Sequence, residues 1–422
     1  SEDGDIRVIS SVKELEEKTG QENVKDIHRH FIDEFTFEED GKVFKRIPEV
    51  FDCWFESGSM PYAQNHFPFE NEELTMKDFP ADFIAEGLDQ TRGWFYTLNV
   101  LSTALFNKPA FRNVIVNGIV LAEDGHKMSK SLKNYPDPQE VMDKFGSDAV
   151  RLYLLHSPLV RGEDFNFAGK GVESVLRKLI IPLWNSFVFL STYATIYEWI
   201  PTAESFDRPE ADIDKWILSK AHQLIQKVQD GMDNYTLDKA VDPLSNFIEE
   251  LTNWYIRRSR SRFWAEENTK DRREAFETLY SVLMMYVKLA APIIPFITEK
   301  IYQELRRDNM PESVHLCNFP LYDEEIRDVL VEKEMSYTQL VVNLGHSLRK
   351  EHRLKVRQPL GCVYVVSDQK DVVESLRLQH HLICDELNVK EITLDTDASK
   401  FVDYKIKPNF RALGKKVGRH MS

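Results

Sequence analysis

A chain of 422 residues with 42% hydrophobic and 11% aromatic content is long enough for two to four domains with packed cores, which excludes a disordered tail. The formal net charge of -15 argues against non-specific coating of nucleic acid, while leaving room for local basic patches. Cys53, Cys317, Cys362 and Cys384 lie far apart with no CxxC or zinc spacing, so reduced thiols and no bound metal are expected.

No stretch reads as apolar enough for a membrane span, and residues 1–5 lack a basic-then-apolar leader, so a cytoplasmic protein is expected. A start without Met, in acidic sequence, points to a piece of a longer protein. Residues 1–49 read as a connecting segment with one short amphipathic helix around Val12–Thr19. Residues 50–167 read as α/β. Ala81–Ala85 and Val114–Val116 are apolar runs typical of buried parallel strands, and Trp94, Leu98, Leu101 and Leu105 mark a buried helical stripe between them, giving a βαβ unit. Residues 168–208 supply connecting helices and a linker at Pro201–Pro209. Residues 209–323 read as an all-α module. One of its faces is Leu237, Val241, Leu244, Ile248, Leu251 and Tyr255, and Pro292 and Pro295 separate two of its helices. Residues 324–422 form a small α+β unit with a helix at Lys333–Arg353 and β-like runs at Val363–Val366 and Glu391–Leu394.

The sharpest motif is Lys127-Met128-Ser129-Lys130-Ser131 after a tight Asp124-Gly125 turn. Two lysines and small hydroxyl residues on one loop suit a triphosphate whose charge builds during nucleotidyl transfer, whereas the plain alternative is a solvated Lys/Ser loop. A match of this length arises by chance in about one chain in ten thousand. Glu86-Gly87-Leu88-Asp89-Gln90-Thr91-Arg92-Gly93-Trp94 follows the first strand, where open α/β sheets bind ligands. Gly87 admits a ligand to the backbone, Asp89 and Gln90 suit ribose hydroxyls, and Glu86 can accept from an ammonium. Asp89 or Thr91 alternatively starts the helix. Trp54 and Trp94 either wall a small pocket or belong to the core. In Asn253–Trp264, Arg258 and Arg262 are four apart, and Arg257 and Arg260 three apart, beside Trp254; the choice is between phosphate contacts and a solvated helix. A second basic run is Arg349, Lys350, His352, Arg353, Lys355 and Arg357.

Trp54–Pro61, Glu86–Phe95, Asn113–Gly118, and Lys127–Ser131 followed by Asn134, Asp137 and Pro138 resemble class I isoleucyl-tRNA synthetases in content and order, from about Val50 to the C-terminal region. The Asp89–Phe95 block resembles the isoleucine enzymes more than their valyl, leucyl or methionyl relatives, and the surroundings of Asn117 resemble the eukaryotic cytosolic type and its bacterial counterparts. The resemblance implies a second half of a Rossmann catalytic domain followed by an anticodon-binding helix bundle. It implies ATP with Mg2+, L-isoleucine and tRNA(Ile) as substrates. Lys127, Lys130 and Ser129 would then be catalytic. Glu86, Gly87, Asp89, Gln90, Asn117, Met128 and Lys130 would bind ATP or the adenylate, with Trp54 and Trp94 around isoleucine. Trp254, Arg257, Arg258, Arg260, Arg262, Arg353 and Arg357 would meet tRNA. No His-x-Gly-His sequence occurs and an editing insertion is lacking, so the chain resembles a C-terminal portion, inactive without an N-terminal half of the same enzyme. The alternative is a noncatalytic tRNA-binding or assembly module.

Overall fold

The structure, a computed structural model, describes residues 1–129, 134–202, 206, 208–265, 267 and 269–397. The chain divides into two compact units, Ser1–Asn117 and Gly118–Ser422.

The first unit opens with α1 (Val12–Thr19), as expected from its apolar spacing. Ser11 caps it by accepting from the Glu14 amide, and Gly20 ends it at φ 70°. After the single turn α2 (Arg29–Ile32), β1 (Thr36–Glu39) and β2 (Lys42–Lys45) form an antiparallel hairpin where a plain connector was expected. Asp40 and Gly41, at φ 55° and 72°, make its two-residue turn, and Phe37 stacks on Phe44 at 5.2 Å. In α3 (Cys53–Ala63) the Asp52 carboxylate caps the first turn by accepting from the Trp54 and Phe55 amides at 2.8 and 3.3 Å.

Following α4 (Glu72–Asp78) comes the βαβ unit: β3 (Ala81–Gly87), a 3-10 turn over Leu88–Arg92, α5 (Trp94–Phe106) and β4 (Phe111–Asn117). The strands pair parallel from Ala81↔Phe111 to Gly87↔Asn117. They are less buried than their apolar composition suggested, with Phe83 52% and Val114 43% exposed. A two-strand sheet covered by one helix buries one side only, and Ile84 there joins Phe95, Leu98 and Ala110 in a small core. The expected stripe on α5 also stops short. Leu98 is buried and Trp94 and Leu101 are half-buried, but Leu105 is exposed because the last turn runs past that core.

In the second unit β5 (Val120–Leu121) pairs with β6 (Phe165–Asn166), and α6 (Pro138–Phe145) and α7 (Ser147–Leu155) lie between them in sequence. Next, α8 (Gly169–Val175), a π turn over Leu176–Ile180 and α9 (Ile181–Ile196) form one 28-residue helix that by length and composition is apolar enough to cross a membrane. The expectation of no such stretch is thereby corrected. Asn185, Ser186 and Pro182 dilute the run in sequence, yet Pro182 is accommodated in the first turn of α9, just after the π turn, without breaking the helix. Leu179, Leu183, Phe187 and Leu190 of this helix lie in the helical core.

That core is shared with α10 (Asp212–Asp233), α11 (Leu237–Glu250), a π turn at Leu251–Ile256, α12 (Arg257–Phe263), α13 (Lys270–Ala290) and α14 (Pro295–Leu305). Val241, Leu244, Ile248, Leu251 and Tyr255 are all buried, each such side chain contributing about 1.5–3 kcal/mol. Pro292 and Pro295 separate α13 from α14 as expected. The next helix, α15 (Val329–Glu351), begins at Val329 rather than Lys333 because Asp328 caps the Leu330 and Val331 amides. Finally β7 (Leu360–Val366) and β8 (Val389–Asp395) pair parallel, with α16 (Lys370–Leu378) and α17 (His380–Leu387) between them in the chain.

Candidate functional site

The parallel register of β3 and β4 sets Glu86 opposite Val116 and Gly87 opposite Asn117 at the carboxyl ends of both strands. Such ends are where open α/β sheets meet ligands. Exposed Glu86 turns its Oε1 back to accept the Gly87 amide at 3.0 Å. Asp89 is exposed as well, and a Cβ on Gly87 would stand 2.7 Å from its Oδ1, so glycine keeps this strand end narrow. Gln90 occupies the capping role offered to Asp89 or Thr91. Its Oε1 accepts the Trp94 amide at 2.8 Å, because Gly93 at the N-cap of α5 has no side chain to do so.

Trp94 is half-buried and donates its indole N-H to the Ser57 carbonyl at 3.0 Å, tying α5 to α3. Trp54 is 42% exposed, and its ring edge lies 3.0 Å from where a Gly93 Cβ would stand. Both indoles therefore converge on Gly93, one in the packing and one at the surface.

In the second unit, Gly125 at φ 82° closes a turn in which the Ala122 amide donates to His126 O at 2.9 Å. Leu121 and Lys127 consequently face each other as an antiparallel bridge. Asn134 braces the signature loop from its other end. Its Oδ1 accepts the Ser129 amide at 2.9 Å and its Nδ2 donates to Lys127 O at 3.1 Å. Lys127 is exposed, and Met128 and Ser129 are half-buried. Lys130 and Ser131 lie outside the described residues. Asp137 and Pro138 then start α6 as N-cap and first helical residue.

The arginine run differs most from its expected role. Trp254 is buried and its indole N-H points to Met335 Sδ at 3.0 Å, so the ring has no free face for a base. Arg257 and Arg258 donate to Glu386 of α17 at 2.7 and 2.8 Å. Burial disfavours the Glu386 carboxylate, but these guanidiniums outweigh it and hold its pKa below the usual carboxylate range. Arg262 makes a bidentate pair with fully buried Asp214 at 2.8 and 2.6 Å. The helical spacing does align these arginines, but the face it creates is an internal contact with α10 and α17. Arg260 is exposed and forms no ion pair among the described residues. In the second run, buried Arg349 donates to the Lys355, Gln358, Leu387 and Asn388 carbonyls, while Arg353 and Arg357 are exposed.

Two residues of α7 were beyond sequence reasoning. Asp148 accepts from the Phe296 and Ile297 amides at 3.2 and 2.6 Å and so caps α14 from a distance, while Arg151 donates to the Pro292 and Ile293 carbonyls. Burial pushes the Asp148 pKa up, against the pull of those two amides. Asn134 could have been found from its place three residues after the signature; Asp148 carried no local signal.

Residues 1–166 match the family of class I tRNA synthetases (I, L, M and V), and residues 214–365 match the anticodon-binding domain of tRNA ligases. The chain belongs to the class I tRNA synthetases, with a catalytic-fold segment followed by an anticodon-binding segment. Within that class its similarity is to isoleucine–tRNA ligases. It is 58% identical, over 100% of its length, to the isoleucine–tRNA ligase of Protochlamydia amoebophila, and spans 40% of that relative. Further curated relatives of similar identity are also isoleucine–tRNA ligases from chlamydiae, again matched over about 40% of their length. These bacterial relatives give no support to the eukaryotic-type assignment read from the surroundings of Asn117. In fold, the chain is similar to a leucyl-tRNA synthetase of Agrobacterium radiobacter K84 solved with tRNA and LeuAMS, at TM-score 0.55 and 21% identity over 68% of this chain and 36% of that one. It is also similar to Mycobacterium tuberculosis methionyl-tRNA synthetase solved with methionyl-adenylate, at TM-score 0.50 and 20% identity over 66% of this chain and 58% of that one.

Proposed function

We propose that this chain supplies the signature-loop side of the nucleotide site and the tRNA-binding helices of a cytosolic isoleucine–tRNA ligase. The observation that carries the reading is the Lys127–Ser131 signature, set by the Leu121–Lys127 bridge and braced by Asn134. In the first step a carboxylate oxygen of L-isoleucine attacks the α-phosphorus of MgATP, and the bond to the bridging oxygen breaks to release pyrophosphate. Lys127, together with Lys130 assigned from sequence, neutralises the charge growing on that leaving group. Ser129 and the Met128 backbone close over the nucleotide. Glu86 holds the aminoacyl-adenylate, Gly87, Asp89 and Asn117 border its ribose side, and Gln90 acts by holding the start of α5. Trp54 and Trp94 take the isoleucine side chain around Gly93. In the second step the 3′ terminal hydroxyl of tRNA(Ile) displaces AMP, with Arg260, Arg353 and Arg357 among the free cations for RNA.

The remaining length of such a ligase supplies the opposite wall of the nucleotide site. Isoleucine-dependent ATP–pyrophosphate exchange tests this, using the chain alone and mixed with a separately made N-terminal half, with valine, leucine and methionine as controls. Exchange only in the mixture and only with isoleucine is expected. Exchange by the chain alone overturns the two-part reading. Silence in both, with tRNA binding kept, favours a noncatalytic RNA-binding module.

A further inference from the structure

If the arginines of α12 are engaged inside the protein, the RNA contact must be sought elsewhere on the helices. Between α11–α12 and α15 lies a slot of about 360 Å³, at the small end of the roughly 300–1,000 Å³ range of ligand sites. Asn246, Asn253, Gln339 and Asn343 edge it, and buried Trp254 and Val342 form its apolar floor. Among the described residues none of these four carboxamides uses its side chain in a hydrogen bond within the chain. Each offers a donor and an acceptor side by side, the arrangement that reads the edge of a nucleobase. Exposed Glu249 adds an acceptor for an exocyclic amino group.

A second depression, between α10 and α11, shares Asn246 and Glu250 with the slot, so the two are continuous. It is lined by Lys220, Lys227 and Lys239. Lys220 pairs with Glu250 at 3.1 Å, but Lys227 and Lys239 are exposed and have no ion pair among the described residues. Free cations beside free carboxamides satisfy both halves of a nucleotide.

We propose that the groove across α10, α11 and α15 is the seat of a single-stranded RNA segment, with Lys227 and Lys239 on its phosphates and one unstacked base among Asn253, Gln339 and Asn343. The proposal rests on the tRNA-binding reading above and locates it. A double helix would hide the base edges that the slot reads. An acidic peptide would answer the lysines but leave the carboxamides without a planar, hydrogen-bonding partner.

The experiment measures binding of the 422-residue chain to a tRNA(Ile) transcript, and to its anticodon stem-loop carrying one abasic position at a time, over a range of salt. Lys227→Ala/Lys239→Ala should weaken every RNA and lower the slope of log affinity against log salt by about 0.7 per lysine. Asn253→Ala/Asn343→Ala should weaken the intact stem-loop about tenfold or more. With one particular abasic stem-loop that loss should vanish, because the base it reads is already gone. Uniform loss over all abasic positions overturns the base slot. If both variants keep the wild-type circular dichroism and bind the transcript as wild type does, the groove is refuted while the tRNA reading stands. A wild-type chain that binds no RNA refutes both.

Discussion

Arg262 separates the two meanings of a basic helix most sharply. As an RNA contact, its removal would weaken tRNA binding and leave the fold intact. In the structure its guanidinium holds both oxygens of Asp214, whose side chain is 0% exposed, and also bonds to Asp271 at 2.9 Å. Tyr255 donates its hydroxyl to the same Asp214 oxygen at 2.7 Å. Burial works against the charged guanidinium, yet Asp214 more than compensates and raises the Arg262 pKa above its ordinary value. Arg262→Ala would leave a buried carboxylate with one hydroxyl partner, a change that costs about 3–5 kcal/mol. Whole-domain stabilities are about 5–15 kcal/mol, and a urea dependence of about 3 kcal/mol per molar converts the loss to a midpoint about 1 M or more lower. The assay is urea unfolding followed by tryptophan fluorescence, with tRNA affinity measured in parallel. Asp214→Ala/Arg262→Ala should cost less than the sum of the single variants, because neither charge is then stranded. An Arg262→Ala midpoint within about 0.2 M of wild type, with weaker and less salt-dependent tRNA binding, would refute the structural role.

Gly93→Ala places a Cβ 2.8 Å from Gln90 Oε1 and 3.0 Å from the Trp54 ring, so it should cost about 1–3 kcal/mol in unfolding experiments and raise the KM for isoleucine in the two-part exchange assay. Asn134→Ala removes both braces of the signature loop and should lower exchange about tenfold while the melting temperature stays within a few degrees, as two exposed or half-buried hydrogen bonds of about 1 kcal/mol each imply. Because the Glu386 pKa is depressed in the folded state, its stabilising contribution is present above the ordinary value of 4.5 and is lost as pH falls through the lower folded value. Urea midpoints between about pH 6 and pH 3 should therefore fall less steeply for Glu386→Gln than for wild type, and hydrogen exchange in residues 360–395 should quicken.

Local chemistry was legible where the signal was local. The α1 helix, the parallel β3–β4 pair, the face from Leu237 to Tyr255 and the breaks at Pro292 and Pro295 all follow from period and backbone restriction, which act over a few residues. The hairpin at Asp40-Gly41 carried its own turn signal, but short charged strands gave no alternating apolar pattern to go with it. The arginines were misread for a deeper reason. A spacing of four tells that Arg258 and Arg262 share a side of a helix, and nothing in it tells whether water or another helix lies there. Their partners, Glu386 and Asp214, stand 128 and 48 residues away. The converse holds for the carboxamide slot, where Asn253 and Asn343 belong to helices far apart in sequence and formed no motif at all.

Asp148 has a consequence in time. Helix α14 has no side-chain cap of its own, and the carboxylate that serves it comes from 148 and 149 residues earlier. At about 5–20 residues per second of synthesis, the stem behind the signature loop waits roughly 7–30 s on the ribosome before the amides it binds have been made. Until then that acidic side chain has water, and no protein partner, on its outer side. Docking of α7 is thus a late event in the life of each new chain, governed by translation speed as well as by the energetics of the finished fold.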